Sequence, residues 1–438
     1  MDSRSWPGVS RDNTGAKIKK YLMDTYDFDP ALMTDYIVRY FHPAITNGTG
    51  LDILLAGDSM IRGNNVNQQT QNVSSVLAAG LRAAYGRTDT AEGFIPCAYN
   101  GFAQTARGVL SSPGNTMVTV TGQYATVTGF SLYRVDGAGA GDVKFTFTGA
   151  TDVSVVWAAR AQATSSITWS LDNSGGSGTM QYTTGGVDFT GSIGKLGTGL
   201  NPATTYVLTI TAPGAAGVAG SHMWMAGIVT EATNGIHCHN IGANGKQLFD
   251  TGSSNGIYRG DANATNETVC YSNNILLPLS NGATSRFQKC GLYISNFGIN
   301  DQGNYGVNGP DNYGGIGTAG ITTTMKGYEI YKYYVSRYLS EIKSCANHAT
   351  PIMVAYPTAT LRDAGIRTFW AEMKDACDIH GVPFINLPKA MQWGDRTTLI
   401  AGYDDGSGIH FSVTGYAAIA NAIKECITKS YDYWLVNR

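Results

Sequence analysis

Four segments of this chain carry residue types that suit one joint reaction: Gly57-Asp58-Ser59, Asn240-Ile241-Gly242-Ala243-Asn244-Gly245, Gly298-Ile299-Asn300-Asp301, and Gly408-Ile409-His410-Phe411-Ser412-Val413-Thr414-Gly415-Tyr416. A serine hydroxyl is a weak nucleophile until a base takes its proton, and a neutral imidazole is suited to that task near neutral pH. A glycine-rich turn lets a backbone N–H approach a substrate oxygen. The asparagine amide is a neutral donor that can stabilise an oxyanion without being consumed. Taken singly, the second segment reads as well as an ordinary turn, and the other three more often read as turns or structural loops.

These segments must be positioned by something, and the surrounding patterns say what. Leu51 to Ala56 is a short apolar run ending at Gly57, the pattern of a strand buried on both faces in a parallel sheet. Further runs occur at GIHCHNIG from Gly235, GLYISNFG from Gly291, PIMVAYP from Pro351 and VPFINLP from Val382. Helical spacing separates them, at Val73, Val76, Leu77, Leu81 and Ala84, over Met325 to Ile342, and over about Arg362 to Ile379. A last amphipathic helix is predicted after His410, with Tyr416, Ile419, Ile423 and Ile427 on one face. Strands alternating with helices predict a parallel, doubly wound α/β sheet, whose sites lie at the carboxyl ends of the strands, where the four segments fall.

Between about Gly101 and Glu231 the texture changes to alternating segments such as VKFTFTG, VSVVWAARA, SSITWSL and TYVLTITA, broken by Gly, Asn and Asp turns. This is antiparallel β-sandwich patterning. The expected organisation is therefore a helical lead-in over 1–50, an α/β domain in two parts over 51–100 and 232–438, and an antiparallel β-sandwich inserted over 101–231.

Composition narrows the function further. Charged residues are 14% and the formal net charge is −2, which encodes no general attraction to nucleic acid or anionic membrane. No apolar run is long enough to span a bilayer, and the N-terminus MDSRSWPGVSRDNTG lacks the apolar core of a signal peptide. The 7 cysteines are odd in number, widely spaced and without a C-x-x-C pair, so neither a disulfide framework nor a zinc site is expected, and a reducing compartment of synthesis is the simpler reading. His237 and His239 are read as core or turn residues on opposite faces of their strand, and no metal site is expected.

The order GDS, N-x-G-x-x-G, G-x-N-D and a C-terminal His ahead of Gly-Tyr resembles the SGNH (GDSL-like) hydrolase family over residues 51 to about 90 and 235 to 438. The resemblance implies a flavodoxin-like three-layer α/β/α domain with a parallel five-stranded sheet. Carried over by position, it implies Ser59 as nucleophile and His410 as base. The Ser59 N–H, Gly245 and Asn300 become oxyanion donors, and no cofactor is needed. One position departs from the family: the Asp expected three residues before the histidine is Ser407. Asp405 is preferred as the orienting acid, with Asp404 or a Ser–His dyad held by a backbone carbonyl as alternatives.

The stretch after Asn300 is rich in amides and tyrosines, which suit sugar hydroxyls, and Asn304, Tyr305 and Tyr313 are the candidate substrate contacts. The resemblance extends to carbohydrate O-acetylesterases with an inserted sandwich, including bacteriophage tail-spike deacetylases. It implies an acetylated polysaccharide as partner, with no nucleic acid or membrane. Homo-oligomerisation, and a virion or extracellular setting, fit the same picture. The rival expectations are a non-catalytic carbohydrate- or receptor-binding protein on a decayed hydrolase fold, and a hydrolase of lipids or small esters.

Overall fold

The computed structural model describes residues 11–63, 66, 70–96, 116–118, 132–135, 143–159, 164–183, 190–211, 223–242, 247–250, 256–259, 290–305, 325–344, 349–357, 363–391 and 402–438. Its centre is a 5-stranded parallel sheet of β1 (Leu51–Gly57), β2 (Ile236–Asn240), β3 (Leu292–Asn296), β4 (Thr350–Ala355) and β5 (Phe384–Asn386). The strands lie in the order β2-β1-β3-β4-β5 and every neighbouring pair is parallel. This is the flavodoxin-like order, in which the winding reverses at β1 and opens a crevice between the carboxyl ends of β1 and β3. All positions of β2 and β3 are buried, which is why these strands read as continuous runs rather than as alternation.

Helices cover the sheet. Among them are α1 (Arg11–Tyr26), α2 (Ser59–Arg62), α3 (Val73–Ala84), α4 (Ile299–Tyr305), α5 (Gly327–Ser344), α6 (Asp363–His380) and α7 (Val413–Asn437). The predicted face of α7, Tyr416, Ile419, Ile423 and Ile427, is buried, whereas on α3 Val73, Leu77 and Leu81 are buried, Val76 is partly buried and Ala84 is exposed. The segment ahead of β1 sends Leu22, Phe28, Met33, Tyr36 and Phe41 into the same core. It is therefore part of the α/β body.

Two antiparallel sheets lie in the chain between α3 and β2, forming the inserted sandwich. One contains Val143–Phe147, Tyr206–Thr211, Thr164–Leu171 and Gly176–Thr183 in that order. The other is built on Met223–Glu231, which pairs with Leu132–Val135 and Asp152–Ala159. Phe145, Phe147, Leu208 and Ile210 of the first sheet meet Val153, Val155 and Ile228 of the second in a hydrophobic core separate from that of the α/β body. Gly93–Pro96, in a stretch read as α/β, also pairs with Met223–Glu231. Its proline closes the ladder at the strand end, where a missing N–H is tolerated. A short parallel pair, Gln247–Asp250 with Gly256–Arg259, is likewise additional to the expected elements.

Cys238, Cys290, Cys377 and Cys426 are buried free thiols, while Cys97, Cys270 and Cys345 lie outside the described residues. Among the described residues no helix is long and apolar enough to cross a membrane.

Candidate active site

The turn after β1 is built around contacts that leave no room for larger residues. A Cβ on Gly57 would stand 2.5 Å from the Asn296 carbonyl oxygen and 2.7 Å from Ile61 Cγ1, so glycine is required where β1 passes β3. Asp58, fully buried, caps α2, its Oδ1 accepting the Met60 N–H at 2.8 Å. Ser59 is then the first residue of this four-residue helix, which ends at Gly63 in the left-handed region (φ 82°). The G-D-S motif thus has a glycine for close passage, a cap, and a serine presented at the strand end.

The other strand ends are tied to this turn. Asn240, closing β2, donates its Nδ2 to the Ile61 carbonyl at 2.7 Å and accepts the Gly242 N–H on Oδ1 at 2.9 Å. A Cβ on Gly242 would lie 2.6 Å from the Arg62 nitrogen. The Asn-x-Gly pattern therefore clamps the second loop onto the nucleophile helix. After β3, Gly298 (φ 124°) leads into α4, and the buried Asp301 side chain reaches back to the Gly298 N–H at 3.1 Å. This is the acid half of a capping box. The other Asp301 oxygen accepts the Leu248 N–H at 2.8 Å, joining the third loop to the exit of the second. Asn240 and Asp301 were not singled out from the sequence. A polar residue at the end of an apolar run, inside each motif, was the available signal.

His410 rides on a narrow antiparallel turn. Ser412 N–H donates to the Tyr403 carbonyl at 2.8 Å, Asp404 bridges Phe411, and Asp405 N–H donates to the His410 carbonyl at 3.3 Å. Gly406 and Gly408, at φ 92° and 72°, supply the left-handed positions that the tip requires. Below the tip, Phe411 packs edge-on against Tyr356 and Tyr416, and Ser412 caps α7 by accepting the Gly415 N–H. A Cβ on Gly415 would come within 2.6 Å of the Tyr403 carbonyl, which accounts for the glycine ahead of Tyr416.

The structure brings His410 Nε2 to 2.9 Å from Ser59 Oγ, although the residues are 351 positions apart. Ser59 is 9% exposed and His410 half-buried. Burial pushes the imidazole below its ordinary range, against the upward pull of the Asp405 and Asp404 carboxylates. On its other side, His410 Nδ1 lies 3.4 Å from Ser407 Oγ. Asp405 Oδ1 accepts the Ser407 N–H at 2.8 Å, and Asp404 Oδ1 accepts the Gly406 N–H at 2.7 Å and the Gly408 N–H at 3.3 Å. The acids brace the turn that carries the histidine. Asn300 is the second residue of α4, after β3. Asn304 and Tyr305, expected in a loop, lie on that helix, and their side chains are outside the described residues, as are Gly245 and Tyr313.

A second histidine cluster sits at the opposite end of the sheet, and it corrects the reading of His237 and His239. Residues two apart on a strand share a face. Both rings turn toward Asp52 of β1, with His237 Nδ1 at 2.9 Å and His239 Nε2 at 3.0 Å from Asp52 Oδ1. These atoms fall within 4.8 Å of one another, the compactness a metal ion would need. The hydrogen bonds argue against one. The Ala232 backbone N–H donates to His237 Nε2 at 3.0 Å, so the neutral ring must carry its proton on Nδ1, facing Asp52. That nitrogen has no lone pair to offer a metal. Burial resists ionisation of Asp52, but the His237 and His239 contacts outweigh it and hold the carboxyl well below the usual carboxylate range.

No protein-family model matches the chain, and no curated protein matches it in sequence. By fold it is similar to the structure of a peptidoglycan O-acetylesterase, with a TM-score of 0.60 and 16% identity over 91% of this chain and 96% of that one. The acetyl xylan esterase Est2A from the rumen bacterium Butyrivibrio proteoclasticus matches at 10% identity over 78% of this chain and 98% of its own, with a TM-score of 0.29. A family two carbohydrate esterase from Cellvibrio japonicus matches at 10% identity over 74% and 97%, with a TM-score of 0.27. The first, at its low identity, shows a shared fold.

Proposed function

We propose that this chain is a serine esterase that removes O-acetyl groups from a polysaccharide, with Ser59 as nucleophile and His410 as general base. The observation that carries the reading is the 2.9 Å contact between Ser59 Oγ and His410 Nε2, at the carboxyl edge of the sheet beside the reversal of winding. The Ser59 hydroxyl proton passes to Nε2 as Oγ bonds to the acetyl carbonyl carbon. The oxyanion is held by the Ser59 N–H, the Gly245 N–H and the Asn300 amide. On collapse the bond from the acetyl carbon to the sugar oxygen breaks, and the imidazolium returns its proton to that oxygen. Water then attacks the acyl-serine with His410 as base again, acetate leaves, and Ser59 regains its proton. Each oxyanion donor contributes about 3 to 4 kcal/mol to the transition state in comparable sites. No metal or organic cofactor enters any step.

A glycan is favoured as the acyl carrier by the inserted sandwich, by the amides and tyrosines that follow Asn300, and by the fold shared with a peptidoglycan O-acetylesterase. Asn304, Tyr305 and Tyr313 are assigned to sugar contact on this reading. A surface polysaccharide met by a virion-borne or secreted enzyme is the setting that suits it. The test is acetate release from an acetylated polysaccharide by the wild type beside Ser59→Ala, with simple esters of increasing acyl length alongside. Release by the wild type alone, falling sharply beyond acetyl, is expected. Equal release by both proteins sinks the assignment, and a preference for long acyl chains transfers it to a lipid or small-ester hydrolase.

A further inference from the structure

At the amino end of the sheet lies a cavity of about 510 Å³, the size of an ordinary small-molecule site. Arg39, Tyr40 and Asp52 of the α/β body line it together with Asp152 and Lys195 of the inserted sandwich, so it sits where the two parts of the chain meet. Its lining restricts what it can hold. The two histidine neighbours keep Asp52 ionised, and both rings take Oδ1. The side chain keeps 15% of its surface accessible, so Oδ2 is the oxygen offered to the cavity. An ionised carboxylate only accepts hydrogen bonds: a ligand group beside it must donate, and a carboxylate or phosphate there would be repelled. Arg39 and Lys195, both half exposed, engage Asp35 and Asp152 and have further N–H groups to give. Groups beside them must accept, and an ammonium would meet two cations. Tyr40, seated over Gly291 where a Cβ would lie 2.4 Å from the ring, and Pro43 supply apolar surface for C–H groups. Hydroxyls that both donate and accept, on an uncharged C–H framework, are the chemistry of a sugar.

We infer that this cavity is a second saccharide site, in which sugar hydroxyls donate to Asp52 Oδ2 while Arg39 and Lys195 donate to hydroxyl or ring oxygens. The acceptor is fixed in advance, because the Ala232 N–H holds His237, and His237 and His239 hold the carboxylate. Little ordering is then left for the ligand to impose. The site takes no part in the chemistry. At about 3.3 Å per residue along β1, Asp52 lies roughly 20 Å from Ser59. A sugar held there is remote from the ester being cleaved, so the site tethers a polymer and raises the effective concentration of its other residues near the catalytic end. That tethering role rests on the reading of the chain as a polysaccharide esterase, and the binding itself does not.

The experiment is an NMR titration of the full chain with labelled histidines, in which His237 and His239 report on the cavity and His410 on the catalytic end. The probes are glucose, galactose, mannose, xylose and N-acetylglucosamine, with glucosamine and glucuronic acid as charged counterparts. At least one neutral sugar should shift the His237 and His239 ring signals saturably, in the millimolar range. Replacing the two exposed cations together, Arg39→Ala with Lys195→Ala, should weaken that binding about tenfold or more. No movement of either ring with any neutral sugar, movement with glucosamine or glucuronic acid alone, or unchanged affinity in the double variant overturns the proposal. The titration needs no turnover, so it decides the site whatever becomes of the esterase reading. Where the wild type deacetylates a polysaccharide, the double variant should raise KM on that polymer, and an unchanged KM overturns the tethering role.

Discussion

Near the start of β1, the rings of His237 and His239 converge on one oxygen of Asp52, and both are almost fully buried. Just beyond its end, His410 stands half-buried between the hydroxyls of Ser59 and Ser407. The same side chain serves two purposes on one sheet, and the surroundings decide which. At the first end an ionised carboxylate takes an N–H from each ring, and a backbone amide fixes the His237 tautomer. These contacts tie β1 to β2 and, through Ala232, to the residue that follows the last sandwich strand. At the second end a hydroxyl lies against each ring nitrogen, the ring is partly exposed, and Nε2 faces a group that can lose a proton to it. Burial and a charged partner make a histidine structural, while partial exposure beside a hydroxyl leaves it free to do chemistry.

The largest effect expected from breaking this contrast is at Asp52. Replacing it with alanine removes the shared acceptor of two buried N–H groups and should lower stability by about 3 kcal/mol, read as a shift in the urea midpoint, with turnover per folded molecule unchanged. Loss of turnover at full stability would move the functional site to that end. The sign of the pH dependence follows from the same contact. A carboxyl held below its unfolded value stabilises the fold above about pH 4, and that contribution disappears as the pH falls further.

At the other end the effect is on rate. Burial depresses the His410 pKa, so its neutral, proton-accepting form persists below the ordinary imidazole range. The acidic limb of kcat/KM should therefore fall below about pH 6.5, and a limb above that value would show that charge, not burial, governs the ring. The smallest effect is an expected silence. Zinc added to the wild type should leave the melting temperature unchanged, because His237 Nδ1 carries a proton, and a rise would mean that the Ala232 contact does not fix the tautomer.

The two ends also differed in how far they could be read from sequence. The Ser59 end was legible because its residues sit in short local motifs at the ends of apolar runs, and Ser59 and His410 do meet. The parallel sheet and the inserted sandwich were legible because burial on two faces and burial on one leave different hydrophobic patterns. The buried end was not, since its logic lies in register: Asp52 pairs with His237 across β1 and β2, and nothing local announces that. The clue was an aspartate inside the run Leu51 to Ala56, since a carboxylate in a buried strand demands donors, and His237 and His239 supply them. Gly93–Pro96 escaped for a similar reason, its partner strand lying far along the chain. The Ser407 contact could not be anticipated because it depends on how Gly406 and Gly408 bend the tip.

The central claim, that Ser59 is made nucleophilic by His410, is tested most directly by covalent labelling with a serine-directed fluorophosphonate followed by peptide mapping. One adduct is predicted on Ser59 in the wild type, forming far more slowly in His410→Ala. An adduct on another serine, or equal labelling of Ser59 in both proteins, would contradict it.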